Sequence, residues 1–280
     1  MPENRSRLSF LSPKSPQPDS PLFVFLSGMD GTGQLLHTQV DRLEKSFDIR
    51  CLAIPPDDRS GWDSLGAQVI QLVEEELANR TGRSVYLCGE SFGGCLALKV
   101  ALEAPWLFQR LILINPASSF NQRLWLGWGV QITQWMPDFL HQKSTLALLP
   151  FLTALGRIAA SDRRALLNAM QSVPPATVSW RLSLLRDFVL DEQKLSRLTQ
   201  PVLMLASASD RLLPSVEEAN RLASILPNTK MVVLPESGHA CLLETDLKLD
   251  KILKGYDFLE ANLNLAKEDF PALAYSRFPA

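Results

Sequence analysis

The sequence predicts an α/β fold, a mostly parallel central sheet flanked by helices. Short apolar runs of strand length alternate with stretches whose apolar residues recur at helical spacing. Such alternation is typical of strand–helix–strand units, which form a parallel sheet covered on both faces. One of these runs ends in a Gly-x-Ser-x-Gly turn that leads into a helical pattern. The length of 280 residues, 46% of them apolar, suits one compact unit.

The individual elements follow from where each pattern begins and ends. Strands are expected at 22–27, 48–54, 84–89, 110–115, 201–207 and 229–234. Helices are expected at 34–46, 62–80, 92–103, 216–226 and 240–262. Residues 1–20 are rich in Ser, Pro and Arg, so we expect a disordered lead-in there, and a C-terminal tail over 266–280.

The interval between the strands at 110–115 and 201–207 breaks the alternation. About eighty residues there have helical periodicity and contain no convincing strand. We therefore expect a core formed by 21–118 and 200–265, interrupted by a helical cap over 119–199. The insertion point places this cap on the carboxyl side of the sheet.

The Gly-Glu-Ser-Phe-Gly turn at 89–93 has the sequence of a nucleophile elbow. In such an elbow a strained strand-to-helix turn exposes the serine hydroxyl. Gly89 and Gly93 flank the serine because a Cβ at either position would collide with neighbouring backbone. The following helix N-terminus offers N–H groups and a positive dipole end to an oxyanion. Ser91 is therefore the predicted nucleophile.

The sequence holds three histidines from which a base can come. His239 follows an apolar strand and closes a polar turn that contains Gly238, which is where a loop above the sheet would hold an imidazole over the serine. His37, on the first predicted helix, and His141, in a separate helical region, fit ordinary surface or core positions. We expect His239 to be the base.

The acid of a triad comes between serine and histidine along the chain in this arrangement. Asp210 follows the strand at 201–207 and can orient the imidazole and stabilise its charged form. An alternative interpretation makes Asp210 a cap for the helix that begins near Ser215. Glu236 is a weaker rival for the acid, and Asp187 and Asp191 are rivals if the acid lies elsewhere in the chain.

An oxyanion hole needs two N–H donors. One is expected from Phe92, the residue after the nucleophile, and the other from the loop that follows an early strand. That loop, 27–33, has three glycines in six positions, and we expect Met29 to donate, with Asp30 as second choice. The glycine spacing is not Gly-x-Gly-x-x-Gly and no P-loop lysine follows, so a nucleotide site is not expected.

Three stretches together resemble the α/β-hydrolase superfamily, and more narrowly the hydrolase half of plant and cyanobacterial phytyl ester synthase-like proteins. They are 26–33 (Leu-Ser-Gly-Met-Asp-Gly-Thr-Gly), 89–98 (Gly-Glu-Ser-Phe-Gly-Gly-Cys-Leu-Ala-Leu) and 114–120 (Ile-Asn-Pro-Ala-Ser-Ser-Phe). The resemblance covers about 22–244. It implies the α/β-hydrolase fold and an esterase, lipase or thioesterase activity.

The proteins of that branch also carry a second, acyltransferase domain with a His-x-x-x-x-Asp signature. That signature does not occur here: Asp41 follows His37 one position too early, and the equivalent position after His239 is Glu244. Ser27 also stands where many relatives have Pro or His. The activity of the second domain is therefore not implied for this sequence.

Composition limits the partners. The net charge is −2 and no basic cluster interleaves with aromatic residues, so no nucleic acid is expected. The four cysteines, Cys51, Cys88, Cys95 and Cys241, lack metal-ligand spacing. We expect them to be reduced, buried thiols of a cytosolic protein. Neither a metal nor a cofactor is expected. No apolar run is long enough to span a bilayer. The resemblance leaves open a peripheral position at a thylakoid membrane.

The predicted cap is rich in aromatic residues. Trp125, Trp128 and Trp135 recur at spacings of three and seven, on one helix face, and Trp180 lies further along. This face can pack on the core, contact a membrane, or line a site for an apolar acyl or prenyl chain. We take the three tryptophans as candidate substrate-binding residues for a small lipophilic ester.

Three functions remain open from the sequence. The first is a serine carboxylester hydrolase that forms an acyl-enzyme on a lipophilic ester or thioester. The second is an acyltransferase that passes a fatty acyl group to an isoprenoid alcohol such as phytol. The third is a non-catalytic binding protein on the same fold, which the intact order of serine, acid and histidine argues against.

Overall fold

One sheet organises the molecule. The computed structural model describes residues 7–78, 82–122 and 149–259. Within them the strands are β1 Ser9–Leu11, β2 Leu22–Leu26, β3 Asp48–Ala53, β4 Val85–Glu90, β5 Arg110–Ile114, β6 Val202–Ser207 and β7 Thr229–Leu234. Their order across the sheet is β1-β3-β2-β4-β5-β6-β7. β1 pairs with β3 antiparallel, and every other pair is parallel.

Helices connect the parallel strands. In the described residues they include α1 His37–Leu43, α2 Trp62–Leu77, α3 Phe92–Glu103, α4 Ala160–Gln171, α5 Pro175–Arg186, α6 Glu192–Leu195, α7 Ser215–Ile225 and α8 Leu249–Gly255. Short 3₁₀ segments lie at Pro105–Leu107, Ala117–Gln122, Leu155–Arg157 and Cys241–Leu243.

The sheet is buried on both faces because its side chains alternate between two apolar layers. On one face Val24, Leu87 and Met204 pack with residues of α2, α3 and α7. On the other face Phe25 and Cys88 pack with residues of α1 and α8. This three-layer arrangement confirms the predicted α/β class.

All six predicted strands are present, and each bound lies within one residue of its expected position. The helices predicted at 92–103 and 216–226 are also found, as α3 and α7. The helix predicted at 34–46 is shorter, since Gly33 has a φ of +68° and the chain turns before His37. The helix predicted at 62–80 corresponds to Trp62–Leu77.

The expected disordered lead-in over 1–20 is wrong for its described part. Ser9–Leu11 pairs with Cys51–Ala53 at the edge of the sheet. Leu8 is buried, and the guanidinium of Arg83 donates to the carbonyl oxygens of Ser20 and Gln17. A three-residue edge strand buries too few side chains to produce a recognisable apolar pattern.

The single helix expected at 240–262 is also wrong. The chain instead forms the 3₁₀ turn Cys241–Leu243, then an irregular segment, then α8 at Leu249–Gly255. Glu244 interrupts the pattern because its buried carboxylate accepts hydrogen bonds from Ser237 Oγ and the Gly238 N–H at 2.9 Å each. These bonds fold the chain back on the preceding loop.

The interval between β5 and β6 carries helices α4, α5 and α6 in its described part. α5 lies over loops at the carboxyl ends of two strands, because Arg181 donates to the carbonyl oxygens of Met29 (2.7 Å) and Pro55 (3.1 Å). Residues 123–148 lie outside the described part. The division into core, cap and tail stays a prediction.

Candidate active site

Ser91 lies at the junction of β4 and α3 in a conformation that non-glycine residues seldom adopt. Its φ is 55° and its ψ is −116°. Hydrogen bonds hold this turn: the Ser91 N–H donates to the Ile114 carbonyl at 3.0 Å, and the Ser91 carbonyl accepts from Ala117 N–H at 3.1 Å. A strained residue persists only when its surroundings fix it. The turn thus presents the Ser91 side chain at the carboxyl end of the sheet.

The two glycines of the turn are required by close packing. A Cβ at Gly93 would overlap the Leu26 carbonyl, and a Cβ at Gly89 would overlap the Gly93 carbonyl. The elbow therefore sits directly against β2 and its own helix, as the sequence predicted.

His239 joins Ser91 to Asp210. The Ser91 Oγ lies 2.8 Å from His239 Nε2, and His239 Nδ1 lies 2.7 Å from Asp210 Oδ2. With Nδ1 protonated, the imidazole donates to the carboxylate and accepts from the serine hydroxyl. This chain of contacts can transfer a proton from the serine to the imidazole.

Asp210 is held rigidly. Its Oδ1 accepts from the N–H groups of Leu212 (2.8 Å) and Leu213 (3.0 Å), and its Oδ2 accepts from Ser215 Oγ at 2.5 Å. Burial acts to raise the pKa of this carboxyl, but the charge of His239 and these hydrogen bonds outweigh it and leave the pKa below its ordinary value. The group is therefore ionised at neutral pH.

The His239 side chain is 5% exposed. Burial acts to lower the pKa of His239, while the charge and hydrogen bond of Asp210, and the charge of Glu90, raise it above the ordinary value overall. The site thus favours the protonated imidazole more than water does. That is the state a base reaches after taking the serine proton.

The loop after β2 reaches the nucleophile. A Cβ placed on Gly28 would lie 3.8 Å from the Ser91 Cβ. Within the described part of the chain, neither the Met29 N–H nor the Phe92 N–H has a hydrogen-bond acceptor. Phe92 begins α3, where N–H groups lack helical partners. Both expected oxyanion donors therefore have their N–H groups unpaired in the described part of the chain.

Asp30 was the second choice of oxyanion donor, and its side chain is hydrogen-bonded within the loop. Its Oδ1 accepts from the Thr32 N–H at 2.8 Å and from Thr32 Oγ1 at 2.5 Å. These bonds shape the loop, and the carbonyl of Met29 is fixed from the other side by Arg181. The loop conformation is thus set by its own turn and by α5.

Two residues that the sequence reasoning missed hold the His239 loop. Glu244 is the first, through its bonds to Ser237 and Gly238 and to Arg157 Nε at 2.8 Å. Asn115 is the second: its Nδ2 donates to the His239 carbonyl at 2.7 Å. In the sequence, Asn115 stood out only as part of the stretch 114–120, which did not indicate what its side chain does.

Asn115 links three segments from a left-handed conformation with φ 43°. Its Oδ1 accepts from the Ser207 N–H at 2.8 Å and its Nδ2 donates to Ser207 Oγ at 2.9 Å. We expect Asn115→Ala to lower the free energy of unfolding by about 1–3 kcal/mol for each buried group left unpaired. Urea unfolding measures this loss.

The same substitution should also reduce kcat more than it raises KM, since the backbone of His239 loses its anchor. Asn228→Ala is a matched control because that amide, on the surface, bonds only weakly to the Thr199 carbonyl at 3.5 Å. Equal stability and kcat in Asn115→Ala and wild type would contradict this assignment.

The rival candidates lie elsewhere. Glu236 is exposed and pairs with Arg157 at 2.9 Å. Asp187 pairs with Arg186, and Asp191 caps α6 through Lys194 N–H. His37 contacts Asp162 at 3.0 Å. His141 and the candidate substrate-binding residues Trp125, Trp128 and Trp135 lie outside the described residues.

All four cysteines are buried as free thiols. Burial raises the pKa of Cys51 to about 12 and acts in the same direction on the other three. They therefore stay protonated and unreactive at neutral pH. In the described ranges no group of three or more His, Cys, Asp or Glu side chains is arranged to hold a metal ion.

The sequence matches known families and relatives. Residues 58–246 match the family described as Hydrolase_4, serine aminopeptidase S33. Phytyl ester synthase 1, chloroplastic, of Arabidopsis thaliana is 34% identical over an alignment 277 residues long that takes in 86% of this chain. The chain spans 37% of the length of that protein. The pimeloyl-(acyl-carrier protein) methyl ester esterase of Nitrosomonas europaea is 28% identical over 235 residues, 80% of this chain and 91% of that protein.

A solved structure agrees with the fold. The esterase from Exiguobacterium antarcticum superimposes with a TM-score of 0.72 at 19% identity, covering 89% of this chain and 94% of that one. At this identity the similarity shows the arrangement of strands and helices alone.

Proposed function

The chain belongs to the serine aminopeptidase S33 family of the α/β-hydrolase superfamily, and from that premise we propose that it is a serine carboxylester hydrolase. The single observation that carries the proposal is the contact chain from Ser91 Oγ through His239 to Asp210, with distances of 2.8 and 2.7 Å. This geometry is the one that activates a serine hydroxyl for attack on an acyl carbonyl.

Acylation is an addition to the acyl carbonyl followed by an elimination, with a tetrahedral intermediate between them. Ser91 Oγ bonds to the acyl carbon while its proton moves to His239 Nε2, and the carbonyl oxygen becomes an oxyanion. The N–H groups of Phe92 and Met29 donate to that oxyanion. As the intermediate collapses, the carbon–oxygen bond to the alcohol breaks, and His239 returns its proton to the leaving alcohol.

Deacylation repeats these steps with water. Water gives a proton to His239 and attacks the acyl carbon, the bond to Ser91 Oγ breaks, and the serine recovers its proton. Asp210 stays ionised throughout and stabilises the imidazolium in both halves. The free thiols and the rival carboxylates take no part.

An ester is favoured over a peptide by the relatives. Both named sequence relatives act on or make esters according to their names, whereas the family description names an aminopeptidase. Assaying p-nitrophenyl esters beside amino-acid p-nitroanilides decides between the two. We expect turnover of the esters, and preferential cleavage of the anilides would contradict the proposal.

A lipophilic acyl group is supported by apolar residues next to the base. The segment that contains Leu152 packs on the His239 loop, because the Ala240 N–H donates to the Leu152 carbonyl at 2.8 Å. On the same segment Phe151 is 44% exposed and Leu155 is 40% exposed. Exposed large apolar side chains on a segment that contacts the loop of the base suit an apolar ligand.

Chain-length preference is the expected consequence. Each methylene buried in an apolar site contributes about 0.8 kcal/mol, so about four extra carbons should raise kcat/KM by roughly two orders of magnitude. The measurement is kcat/KM for p-nitrophenyl esters from acetate to palmitate. If acetate is the best substrate, the lipophilic part of the proposal is wrong.

The role of the sequence-predicted cap tryptophans is part of the same test. We expect Trp128→Ala to flatten the chain-length profile and to leave acetate turnover nearly unchanged. Trp106→Ala is a matched control, because Trp106 is 69% exposed and follows α3 at the end remote from Ser91. Equal profiles in both variants would assign the tryptophan face to packing.

Acyl transfer is the second candidate, and the similarity to phytyl ester synthase 1 favours it. Transfer differs from hydrolysis only in the nucleophile that reaches the acyl-enzyme, so the same residues serve both. Incubating the enzyme with a long-chain ester, with and without phytol, separates them by product. Free acid in both samples supports hydrolysis, and phytyl ester formed only with phytol supports transfer.

A non-catalytic binding role is the third candidate and is disfavoured by the contact geometry at Ser91.

No helix in the described ranges is long and apolar enough to cross a bilayer. A peripheral contact of the cap with a membrane stays part of the proposal for lipid esters, and flotation with lipid vesicles tests it.

A further inference from the structure

Glu90 is a buried carboxyl that the proposed mechanism does not use. It is the last residue of β4 and directly precedes Ser91. Side chains alternate along a strand, so Glu90 shares a face with Tyr86 and Cys88, which lie in the apolar layer beneath the His239 loop. The residue is 9% exposed, and its Oε1 is buried without a hydrogen-bond partner in the described part of the molecule.

An unpartnered buried carboxyl oxygen is costly, and the cost grows when the group ionises. Burial accordingly raises the pKa of Glu90 to about 7, with Asp30 acting in the same direction and His239 opposing it. The charge of Glu90 in turn raises the pKa of His239. Glu90 directly precedes Ser91, whose Oγ contacts His239 Nε2 at 2.8 Å, so the carboxyl and the imidazole belong to the same buried site.

The other titratable groups around Glu90 do not neutralise it. Asp30 is a carboxyl, and the nearby thiols of Cys88 and Cys241 are buried with raised pKa values. Arg181 acts on Asp30 and binds backbone carbonyls. His239 is thus the cationic partner for a Glu90 carboxylate.

Glu90 cannot act on His239 through a hydrogen bond to the ring. Nδ1 is taken by Asp210 and Nε2 by Ser91. A through-space charge interaction remains, and in a buried site with low local dielectric such an interaction is much stronger than in water. A charge interaction needs no hydrogen bond, which is consistent with an Oε1 of Glu90 that has no hydrogen-bond partner in the described residues.

We propose that Glu90 is a positioning residue whose carboxylate, together with Asp210, stabilises the imidazolium of His239 while Ser91 is acylated. The inference deepens the proposed function and depends on it for the kinetic measurement. Its two consequences have opposite signs: the ionised Glu90 assists the reaction and weakens the fold.

The pH dependence of each consequence follows from the raised pKa. Well below pH 7 Glu90 is neutral in the folded protein, and it gains its charge as pH rises through about 7, while the imidazole, whose pKa is raised above 6.5, is still partly protonated. A carboxyl whose folded pKa is raised contributes stability at low pH that is lost progressively as pH rises from its ordinary pKa of 4.5 to about 7. Glu90→Gln is neutral at every pH. Above pH 7 we therefore expect this variant to have a more stable fold and a lower ester turnover than wild type.

The experiment compares wild type, Glu90→Gln and Glu90→Asp from pH 5 to 9 with a short ester. In Glu90→Gln we expect the acidic limb of kcat/KM to move to lower pH, because His239 loses a neighbouring negative charge. The plateau above pH 8 should fall about tenfold, the equivalent of one pKa unit at His239. Glu90→Asp, which keeps the charge, should recover part of the plateau.

Thermal unfolding supplies the second readout. We expect Glu90→Gln to have a higher Tm than wild type at pH 8, and the difference in Tm should shrink steadily as pH falls toward 5. Glu103→Gln is the matched control, since Glu103 is exposed at the far end of α3. It should leave both profiles unchanged.

The outcomes separate this inference from the proposed function. If Glu90→Gln lowers activity equally at every pH and the acidic limb stays in place, the inference is overturned and Glu90 is a packing residue. If the wild type does not turn over esters, the pH dependence of fluorophosphonate labelling at Ser91 replaces the kinetic readout. A shifted labelling limb would support Glu90 even then, and an unshifted one would reject it.

Discussion

Replacing Ser91 with alanine is expected to lower ester turnover by roughly 10⁴–10⁶-fold while leaving the fold intact. The substitution removes the only side-chain atom that bonds to the acyl carbon in the proposed mechanism, so no acyl-enzyme can form. It removes no packed volume beyond one oxygen, and the backbone strain at this position is the same for both residues. Turnover of a p-nitrophenyl ester and thermal unfolding of the same samples measure the two effects.

A fluorophosphonate probe adds the identity of the nucleophile. It should label the wild type at Ser91 and leave the alanine variant unlabelled. Ser224→Ala is the matched control, because the Ser224 hydroxyl bonds only to the Arg221 carbonyl on the surface of α7. Labelling at another residue, or undiminished turnover in Ser91→Ala, would remove the proposed triad.

Replacing Asp210 with asparagine is expected to reduce kcat by roughly 10⁴-fold, the scale seen when an aspartate in this role is neutralised. The amide no longer stabilises the charged imidazole and favours the tautomer with the proton on Nε2, facing the serine. If Asp210 acted only as a cap, the same change would cost at most about 1 kcal/mol of stability and little activity. Parallel measurement of kcat and of urea unfolding separates the two interpretations.

Glu236→Gln provides the comparison for that experiment. Glu236 is the rival acid from the sequence, and its carboxylate is exposed and paired with Arg157. We expect this variant to keep near-wild-type kcat. A large loss in Glu236→Gln together with an active Asp210→Asn would transfer the acid to Glu236.

The parts of the fold that could be predicted from sequence are those with a strong local pattern. The central strands are apolar throughout because helices cover both faces, so their runs stand out from the flanking turns. Ser91, Asp210 and His239 could be chosen for a related reason. Each follows a strand end, and the carboxyl ends of parallel strands meet at one edge of the sheet.

The parts that could not be predicted depend on contacts between distant residues. Asn115 and His239 are 124 positions apart, and no local pattern indicates that the amide of one holds the carbonyl of the other. The apolar residues at 240–243 have a helical pattern, yet the carboxylate of Glu244 turns the chain back. Glu90 belongs to the elbow motif, but the motif does not indicate whether its side chain is buried or hydrogen-bonded. Both properties depend on residues that pack around it from other parts of the chain.

The short strand β1 has a consequence for handling the protein. By pairing antiparallel with β3 it satisfies the backbone groups along one margin of the sheet. A shortened version of the chain that begins at Pro21 would leave Cys51–Ala53 with open N–H and C=O groups beside apolar side chains. Such an edge recruits strands from other molecules. Trimming the amino terminus would therefore favour self-association, and a tag placed there should be joined ahead of Leu8.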